Sequence, residues 1–476
     1  MTSIPLEKYP GLPLLFLDFA RGRSPFYPDP PTLDSAIERG KELLARRDSP
    51  RLPASAFRFR AGAGRQAVED LAQGRAVAVV AGHQIGLFTG PLFTLVKAFD
   101  AIVLARELSR RGIPAVPVFW GLTDDHDLEE IARTAKPGPE GPQRLVLEGA
   151  NRSNRRPVGS LPIPEAVQAI IEAFRADAAG NEAAEAIDAI AERYAPGRSY
   201  AEAFIEALFD LTEDEPLLVV DPLGPEISEV ARRFFLSAVD RRDEIRETLR
   251  STAQELDQAG RVPSVPFRPD LFPFFTIEDG TRRRVAGDDL ESAAKKVERG
   301  EAKVSADVLT RPVLKSLALS AAVSVLGPSE IAYHAQALPL FRLFSAPAPV
   351  LLPRTLLVLR GPAERRAEKA LGIAEEDLLT PGAMKGESTA VPQAERVEEI
   401  TRRLETELSS LVPAIEELDP TLAGALETAR RKATYQLEQL QERMRKAAER
   451  KDEVALNRRK RLETMLLPGG EPAERV

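Results

Sequence analysis

The order of apolar and polar positions divides the chain into distinct stretches. From Ala76 the run "AVAVVA" is apolar without alternation, as expected of a strand buried on both faces. It passes through "GHQIGLFTG" into "PLFTLVKAFDAIVLARELSRRG", whose spacing is helical and which Gly112 can end in a left-handed turn. A second apolar strand, "IPAVPVFWG", runs directly into "LTDDHDLEEI". Strand, helix and strand form a βαβ unit, and its right-handed crossover sets the two strands parallel. Both unusual motifs then stand at carboxyl ends of strands, the edge where open α/β sheets bind ligands.

Before this unit lie Pro-rich loops and one amphipathic helix, "DSAIERGKELLARR", an entry segment rather than a separate domain. Residues 155–215 turn helical in pattern and read as an insertion. The sheet resumes with "PLLVVDPLGPE", a strand ending at Asp221, followed by one long helix expected from Ile227 to Leu256. The segment "VPSVPFRPDLFPFFTIEDGTRRRV" reads as an irregular arm beside the crevice. Further apolar segments, supplying Arg311, Glu330, Tyr333 and Arg354, complete a core over residues 1–378.

Beyond that point charge alternates with sparse aliphatics. Val397, Ile400, Leu404, Leu408, Leu411 and Ile415 repeat at helical spacing. Asp419 and Pro420 suit the cap and first position of a second helix, in which Leu426, Ala429, Ala433, Leu437, Leu440, Met444 and Ala447 continue the stripe. Residues 379–476 are therefore expected to form an α-helical antiparallel coiled coil. Its stripes are narrow, so either a second copy of the chain or the main domain covers them.

Composition narrows the function classes. The chain has 476 residues, 43% apolar and 29% charged, with a formal net charge of -8. Acidic residues outnumber basic ones, so neither nucleic acid nor a membrane surface is expected as a partner. The absence of Cys excludes disulfides and thiolate chemistry. No apolar run reaches the roughly 18 residues of a spanning helix, and no secretory leader is read, which makes the cytoplasm the default compartment.

Two of the three histidines fall in the special motifs. Gly82, Gly86 and Gly90 permit φ > 0 or close approach of a ligand, and the helix beginning near Gly90 offers N–H groups to an anion. The spacing fits neither G-x-G-x-x-G nor G-x-x-x-x-G-K-[ST], and a tight connection explains it as well. The turn also shares its place with the His-x-Gly-His turn of nucleotidyltransferases, without the second histidine. In "DDHD", Asp124 to Asp127, three carboxylates and an imidazole suit acid–base work or an amine, while one Asp suits a helix cap. No metal site is expected, because adjacent residues cannot all aim at one ion. Arg311 and Arg354, each beside a proline, are placed either to grip a carboxylate or to end a strand in solvent. His334, one turn from Glu330, reads as a surface or capping residue.

The stretch "GHQIGLFTGPLFTLVKA" followed by "VPVFWGLTDDHDLEEI" resembles the bacillithiol biosynthesis cysteine-adding enzymes, the BshC family, whose pattern is roughly T-G-Q-Q-x-G-L-F-x-G-P-L-Y-T-x-x-K-A and then P-V-F-W-x-x-x-E-D-H-D. "LLVVDPLGPE", "LTRPVL", "GPSEIAYHAQALPLF" and "LLPR" resemble later landmarks in the same order. His83 replaces the first glutamine of the family turn, and Ser329 interrupts G-P-G-E. The resemblance implies a Rossmann-like core, a coiled coil through which two copies pair, and amide formation between L-cysteine and glucosaminyl malate as the last step of bacillithiol biosynthesis. It also implies active-site walls made by Gly82, Gln84, Gly86 and Gly90 with Asp125, His126 and Asp127, and His83, in the same turn, is a candidate for substrate or nucleotide binding. Condensing a carboxylate with an amine in water calls for an activated acyl group, so ATP is an expected co-substrate although no signature for it is visible. In this reading His126 takes a proton from the amine, held by Asp125 or Asp127, while Arg311, Glu330, Tyr333 and Arg354 complete the substrate or nucleotide site. A nucleotidyl or pantoate-type transferase and a noncatalytic coiled-coil adaptor are the alternatives.

Overall fold

A computed structural model describes residues 4–46, 50–136, 138, 142–148, 155–178, 183–380, 392–418, 422–451 and 453–475. The chain divides into a larger unit, residues 11–138, 143–357 and 474–476, and a smaller one, residues 1–10, 139–142 and 358–473.

The larger unit is built on β1 (Phe57–Phe59), β2 (Val77–His83), β3 (Ala115–Gly121), a ribbon of β4 (Arg133–Lys136) and β5 (Gln143–Val146), β6 (Leu218–Val220), β7 (Leu271–Glu278), β8 (Thr281–Ala286), β9 (Lys303–Ala306), β10 (Ala321–Leu326) and β11 (Val350–Pro353). Six strands form one sheet in the order β1-β6-β3-β2-β10-β11, parallel except for β1 at the edge. The central strands β2 and β10 are buried nearly throughout, which explains their unbroken apolar sequences. From β2 the chain builds outward through β3 and β6, then returns to add β10 and β11 on the other side. That reversal puts the topological switch point between β2 and β10, where the carboxyl ends of the strands open a crevice.

The crossover helix α1 (Leu92–Arg110) packs on β2 and β3, and Gly112 follows it at φ +86°. Its buried Ala98, Ala101, Ile102, Ala105 and Leu108 join Val77, Val79 and Phe119 in the main core. The entry segment contributes to this core through Ala36 and Leu43. The insertion is helical, with Val167–Ala178, Ala183–Arg193 and Tyr200–Thr212.

Two elements differ from the sequence reading. The helix expected from Ile227 to Leu256 is two, Pro225–Asp240 and Arg242–Gln258. Arg241 between them is not helical (φ -109°, ψ 23°), and its guanidinium donates to the Leu343 carbonyl and lies 5.6 Å from the Phe344 ring centroid. The irregular arm is in fact the β7–β8 hairpin, extended by β9 into a three-stranded antiparallel sheet. Asp279 and Gly280 both take positive φ (49° and 73°), as a two-residue hairpin turn requires.

Within the smaller unit, α4 (Pro392–Ser410) and α5 (Leu422–Lys451) run antiparallel. Glu405 accepts from Thr434 while Glu398 accepts from Gln441, so numbers rise on one helix as they fall on the other. The first stripe was expected to stay helical through Ile415. Instead a separate helix, Val412–Leu418, begins with Pro413 in its first turn, where a missing N–H and a bulky ring interrupt the ladder. The expected cap and first position at Asp419 and Pro420 lie outside the described residues.

Candidate active site

The glycine turn and the acidic motif meet at the carboxyl edge of the sheet. Gly82 pairs with Trp120 and His83 with Gly121 in the β2–β3 register, and the Leu122 N–H donates to the His83 carbonyl. One step further, Gln84 Nε2 donates to Asp125 Oδ2 at 3.0 Å and ties the motifs directly together. The loop after β3 is pinned from behind. The Thr123 hydroxyl donates to Asp221, the Gly159 N–H to the Thr123 carbonyl, and the Val158 N–H to the Asp125 carbonyl at 2.7 Å.

The four residues of "DDHD" separate by role. Asp124 is buried; its Oδ2 accepts from the Ser305 hydroxyl at 2.6 Å. Asp125 accepts from the His126 N–H and, at 3.0 Å each, from Gln84 and Arg282. Burial works against its charge, but the contacts from His126 and the charges of Arg311 and Arg282 outweigh it, and the carboxyl lies well below the usual carboxylate range. Asp127 is exposed and caps the short helix Leu128–Ile131 by accepting from the Glu130 N–H.

The half-buried imidazole of His126 departs from expectation. Its Nδ1 lies 2.7 Å from Arg282 Nη1, and a guanidinium can only donate, so in this geometry Nδ1 accepts and Nε2 carries the proton. Asp127 caps a helix instead of holding the ring, and Asp125 Oδ1 stands 3.4 Å from Nδ1, beside the Arg282 nitrogen that Nδ1 accepts from. Arg282 comes from the hairpin that the sequence reading treated as irregular. It is buried, stacks on Phe275 at 3.6 Å, and its Nε donates to Ser305.

The glycines serve two purposes. A side chain at Gly82 would put its Cβ 2.7 Å from the Trp120 carbonyl oxygen and 3.3 Å from Lys315 Nζ, so this position must stay bare. Gly86 and Gly90 fold the turn onto itself, since a Cβ at Gly86 would stand 2.7 Å from the Gly90 Cα. Phe88, Thr89 and Gly90 all take positive φ, and Tyr194 of the insertion holds them there. Its hydroxyl accepts from the Thr89 N–H and donates to the Gly86 carbonyl. His83, beside Thr94 and edge-on to Phe93, is lowered to about 3 by burial and by the charge of Lys97, so it stays neutral.

Behind the turn lies a charged floor from α1, α2 (Arg311–Ala318) and α3 (Pro328–Leu343). Lys97 is fully buried, donates to the Gly82 carbonyl at 3.1 Å and forms a short ion pair with Glu330. Burial alone would raise Glu330, but Lys97 and the Gly327 N–H hold it down to about 2. Arg311 opens α2 with Nη2 3.8 Å from Asp125 Oδ2, facing the crevice rather than solvent. Tyr333, whose hydroxyl burial keeps protonated, stacks on His334. His334 is buried rather than on the surface; its Nδ1–H donates to the Glu330 carbonyl, and burial lowers it to about 4. Arg354 reaches no open crevice. Both arms of its fork meet Glu474, at 2.9 and 2.6 Å, and its guanidinium lies over Phe93.

Among the described residues eight buried side-chain atoms have no hydrogen-bond partner, and four of them, Gln84 Oε1, Trp120 Nε1, Asp124 Oδ1 and Arg311 Nε, belong to residues of this crevice. Buried polar atoms are normally satisfied, so this grouping marks a place prepared for other partners. A larger cavity of about 440 Å³, bounded by Arg242, Arg246 and Phe272, touches none of these four atoms. The sequence reading missed Lys97, Arg282 and Lys315. A lysine in the apolar stretch "TLVKAF" was the available signal for the first, and "EDG" before "TRRR", a hairpin turn, for the second.

A parallel sheet with a polar crevice at its switch point, in one chain with an antiparallel helical pair, defines a Rossmann-like protein with a coiled-coil domain. Residues 52–355 match the family model described as bacillithiol biosynthesis BshC, N-terminal Rossmann-like domain, and residues 366–476 match the BshC C-terminal coiled-coil domain. The chain belongs to the BshC family. It is 30% identical over 429 residues to the protein named "Putative cysteine ligase BshC" of Solibacter usitatus, covering 86% of this chain and 80% of that one. The protein of the same name from Koribacter versatilis is 26% identical over 505 residues, covering 99% and 93% of the two chains. That from Desulforamulus reducens is 28% identical over 433 residues, covering 86% and 79%.

Proposed function

We propose that the protein is a ligase that joins the carboxyl group of L-cysteine to the amine of glucosaminyl malate, the last step in making bacillithiol. The observation that carries this reading is the direct Gln84–Asp125 link over a floor of buried cations, within a chain whose relatives are named for cysteine ligation. Such a crevice suits a reaction in which negative charge develops on an acyl oxygen while an amine loses a proton.

In this reading the acyl group arrives activated, and the amine nitrogen forms the new bond to its carbon. The leaving group departs with the electrons of the broken bond. Arg282 and Arg311 face the developing oxyanion. As Arg282 turns to that oxygen it releases His126 Nδ1, the bare nitrogen, which takes the proton that the amine loses while Nε2 keeps its own, and Asp125 beside it balances the imidazolium. Gln84 and Asp127 hold the loop that carries these groups. ATP remains the proposed source of activation. The functional form is proposed to be a cytoplasmic homodimer paired through the coiled coil. Ile400, Tyr435 and Leu440 are exposed on that helical pair and support this.

The test is incubation of the purified protein with glucosaminyl malate and cysteine, with and without ATP, followed by mass spectrometry. An amide product is expected; its absence under every condition removes the ligase reading. Pyrophosphate release without cysteine would instead favour a nucleotidyl or pantoate-type transferase.

A further inference from the structure

Three of the four cations beneath the carboxyl ends of β2 and β10 have a carboxylate to face. Lys97 meets Glu330, Arg282 bonds Asp125, and Arg311 lies 3.8 Å from Asp125. Lys315 is the fourth, and among the described residues it has neither a hydrogen bond nor an ion pair. Its ammonium lies 5.8 Å from the Trp120 ring and next to bare Gly82. A half-buried ammonium in such a place costs stability, so an unpaired one calls for an explanation.

The surroundings supply one. Gly82, Arg311, Lys315, Ser324, Tyr333 and His334 line a cavity of about 20 Å³ at the switch point. That space is about one water in size, so it admits a single anionic oxygen while the rest of the group stays outside it. Arg311 Nε and, beneath Lys315, Trp120 Nε1 are buried donors without partners. These groups belong to different elements and stand apart from the Gly86–Gly90 turn, whose Thr89 N–H is taken by Tyr194.

The geometry points to an anion subsite in which Lys315 Nζ and Arg311 Nε together take one carboxylate or phosphate group between β2 and β10. Gly82 keeps the approach to Lys315 open. The proposed reaction enters only in naming the source: a carboxylate of the malate moiety, or a phosphate of the activating nucleotide. Burial, reinforced by Arg311 and Lys97 and partly offset by Glu330 and Asp124, lowers Lys315 to about 8. The ammonium is therefore kept at neutral pH, and a bound anion would strengthen it. The groups facing it are Arg311 on its own helix, Lys97 on α1, Glu330, Tyr333 and His334 on α3, and Asp124 after β3.

Trp120, the one tryptophan of the chain, gives a local readout. L-malate and inorganic phosphate are titrated separately into full-length wild-type protein and its Lys315→Met and Lys315→Arg variants, by calorimetry and by Trp120 fluorescence. Wild type is expected to bind at least one anion, Lys315→Met about tenfold or more weakly, and Lys315→Arg within a few-fold of wild type. Malate binding alone assigns the subsite to a substrate carboxylate, and phosphate binding alone assigns it to a phosphoryl group. Affinity should fall above pH 8 in wild type but not in Lys315→Arg. Lys315→Met should be at least as stable as wild type in urea, whereas a merely structural lysine would leave it weaker. Failure of wild type to bind either anion, or unchanged binding by Lys315→Met, overturns the proposal. If anion binding follows these expectations but no amide is formed, the subsite stands and the ligase reading falls. If amide is formed and Lys315→Met leaves both KM values unchanged, the reverse holds.

Discussion

Replacing Glu330 by Gln tests the charged floor most sharply. The carboxyl is drawn from 4.5 to about 2. At about 1.4 kcal/mol per tenfold change in acidity, that drop corresponds to about 3 kcal/mol. Removing it strands the Lys97 ammonium, 1% exposed, beside the Gly82 carbonyl; breaking such buried pairs typically costs about 3–5 kcal/mol. The pair as a whole contributes less than this, because burial also disfavours the charge on Lys97. Glu330→Gln should therefore lose about 3 kcal/mol, and Lys97→Met/Glu330→Gln should recover a good part of it. Urea unfolding followed by Trp120 fluorescence reads the larger unit directly. The sign with pH is also fixed: the stabilisation from Glu330 is fully present above about 4.5 and is lost as pH falls toward 2. A single variant within about 0.5 kcal/mol of wild type, or a double variant no better than the single one, would refute the reasoning.

Other outcomes follow from the same geometry. Asp125→Asn keeps a partner for Gln84 but removes the charge that faces Arg282 and Arg311, so amide formation should fall at least about a hundredfold, and the Trp120 unfolding midpoint should fall with it because buried Arg282 loses its carboxylate. An unchanged rate would place the chemistry elsewhere. Tyr194→Phe deletes the hydroxyl that holds Thr89 and Gly86 and should cost about 1–3 kcal/mol in the same urea assay. Ile400→Glu with Leu440→Glu should convert a dimer to a species of 52.1 kDa by light scattering, if the exposed apolar residues of the helical pair face a second copy.

The fold was legible wherever local pattern and burial agree. The apolar runs at Val77 and Ala115 become central parallel strands, and helical spacing in residues 392–410 and 422–451 becomes an antiparallel pair. It was less legible where tertiary contacts decide the outcome. Arg241 stands at a helix break and contacts Leu343 and Phe344, and β7 reads as irregular because Pro273 interrupts it and its nearly continuous burial leaves no alternation. The site divides in the same way. Gln84 and Asp125 lie in conspicuous motifs, and their contact follows from adjacent parallel strands. Arg282 and Lys315 lie 157 and 190 residues beyond Asp125, and Lys97 lies inside an ordinary helix, so only the folded chain brings them together. Arg354 shows the converse: its setting beside a proline is conspicuous, yet Glu474 occupies its fork.

The central claim is that the Gln84–Asp125 junction and the cations at the switch point form one substrate site. A crystal structure of the full-length protein with glucosaminyl malate tests it most directly. The account predicts the malate or amine end of the ligand at the carboxyl edge of β2, with an anionic oxygen about 3 Å from Lys315 or Arg311. A ligand bound only in the larger cavity beside Arg242 and Phe272, with the Lys315 crevice unchanged, would contradict it.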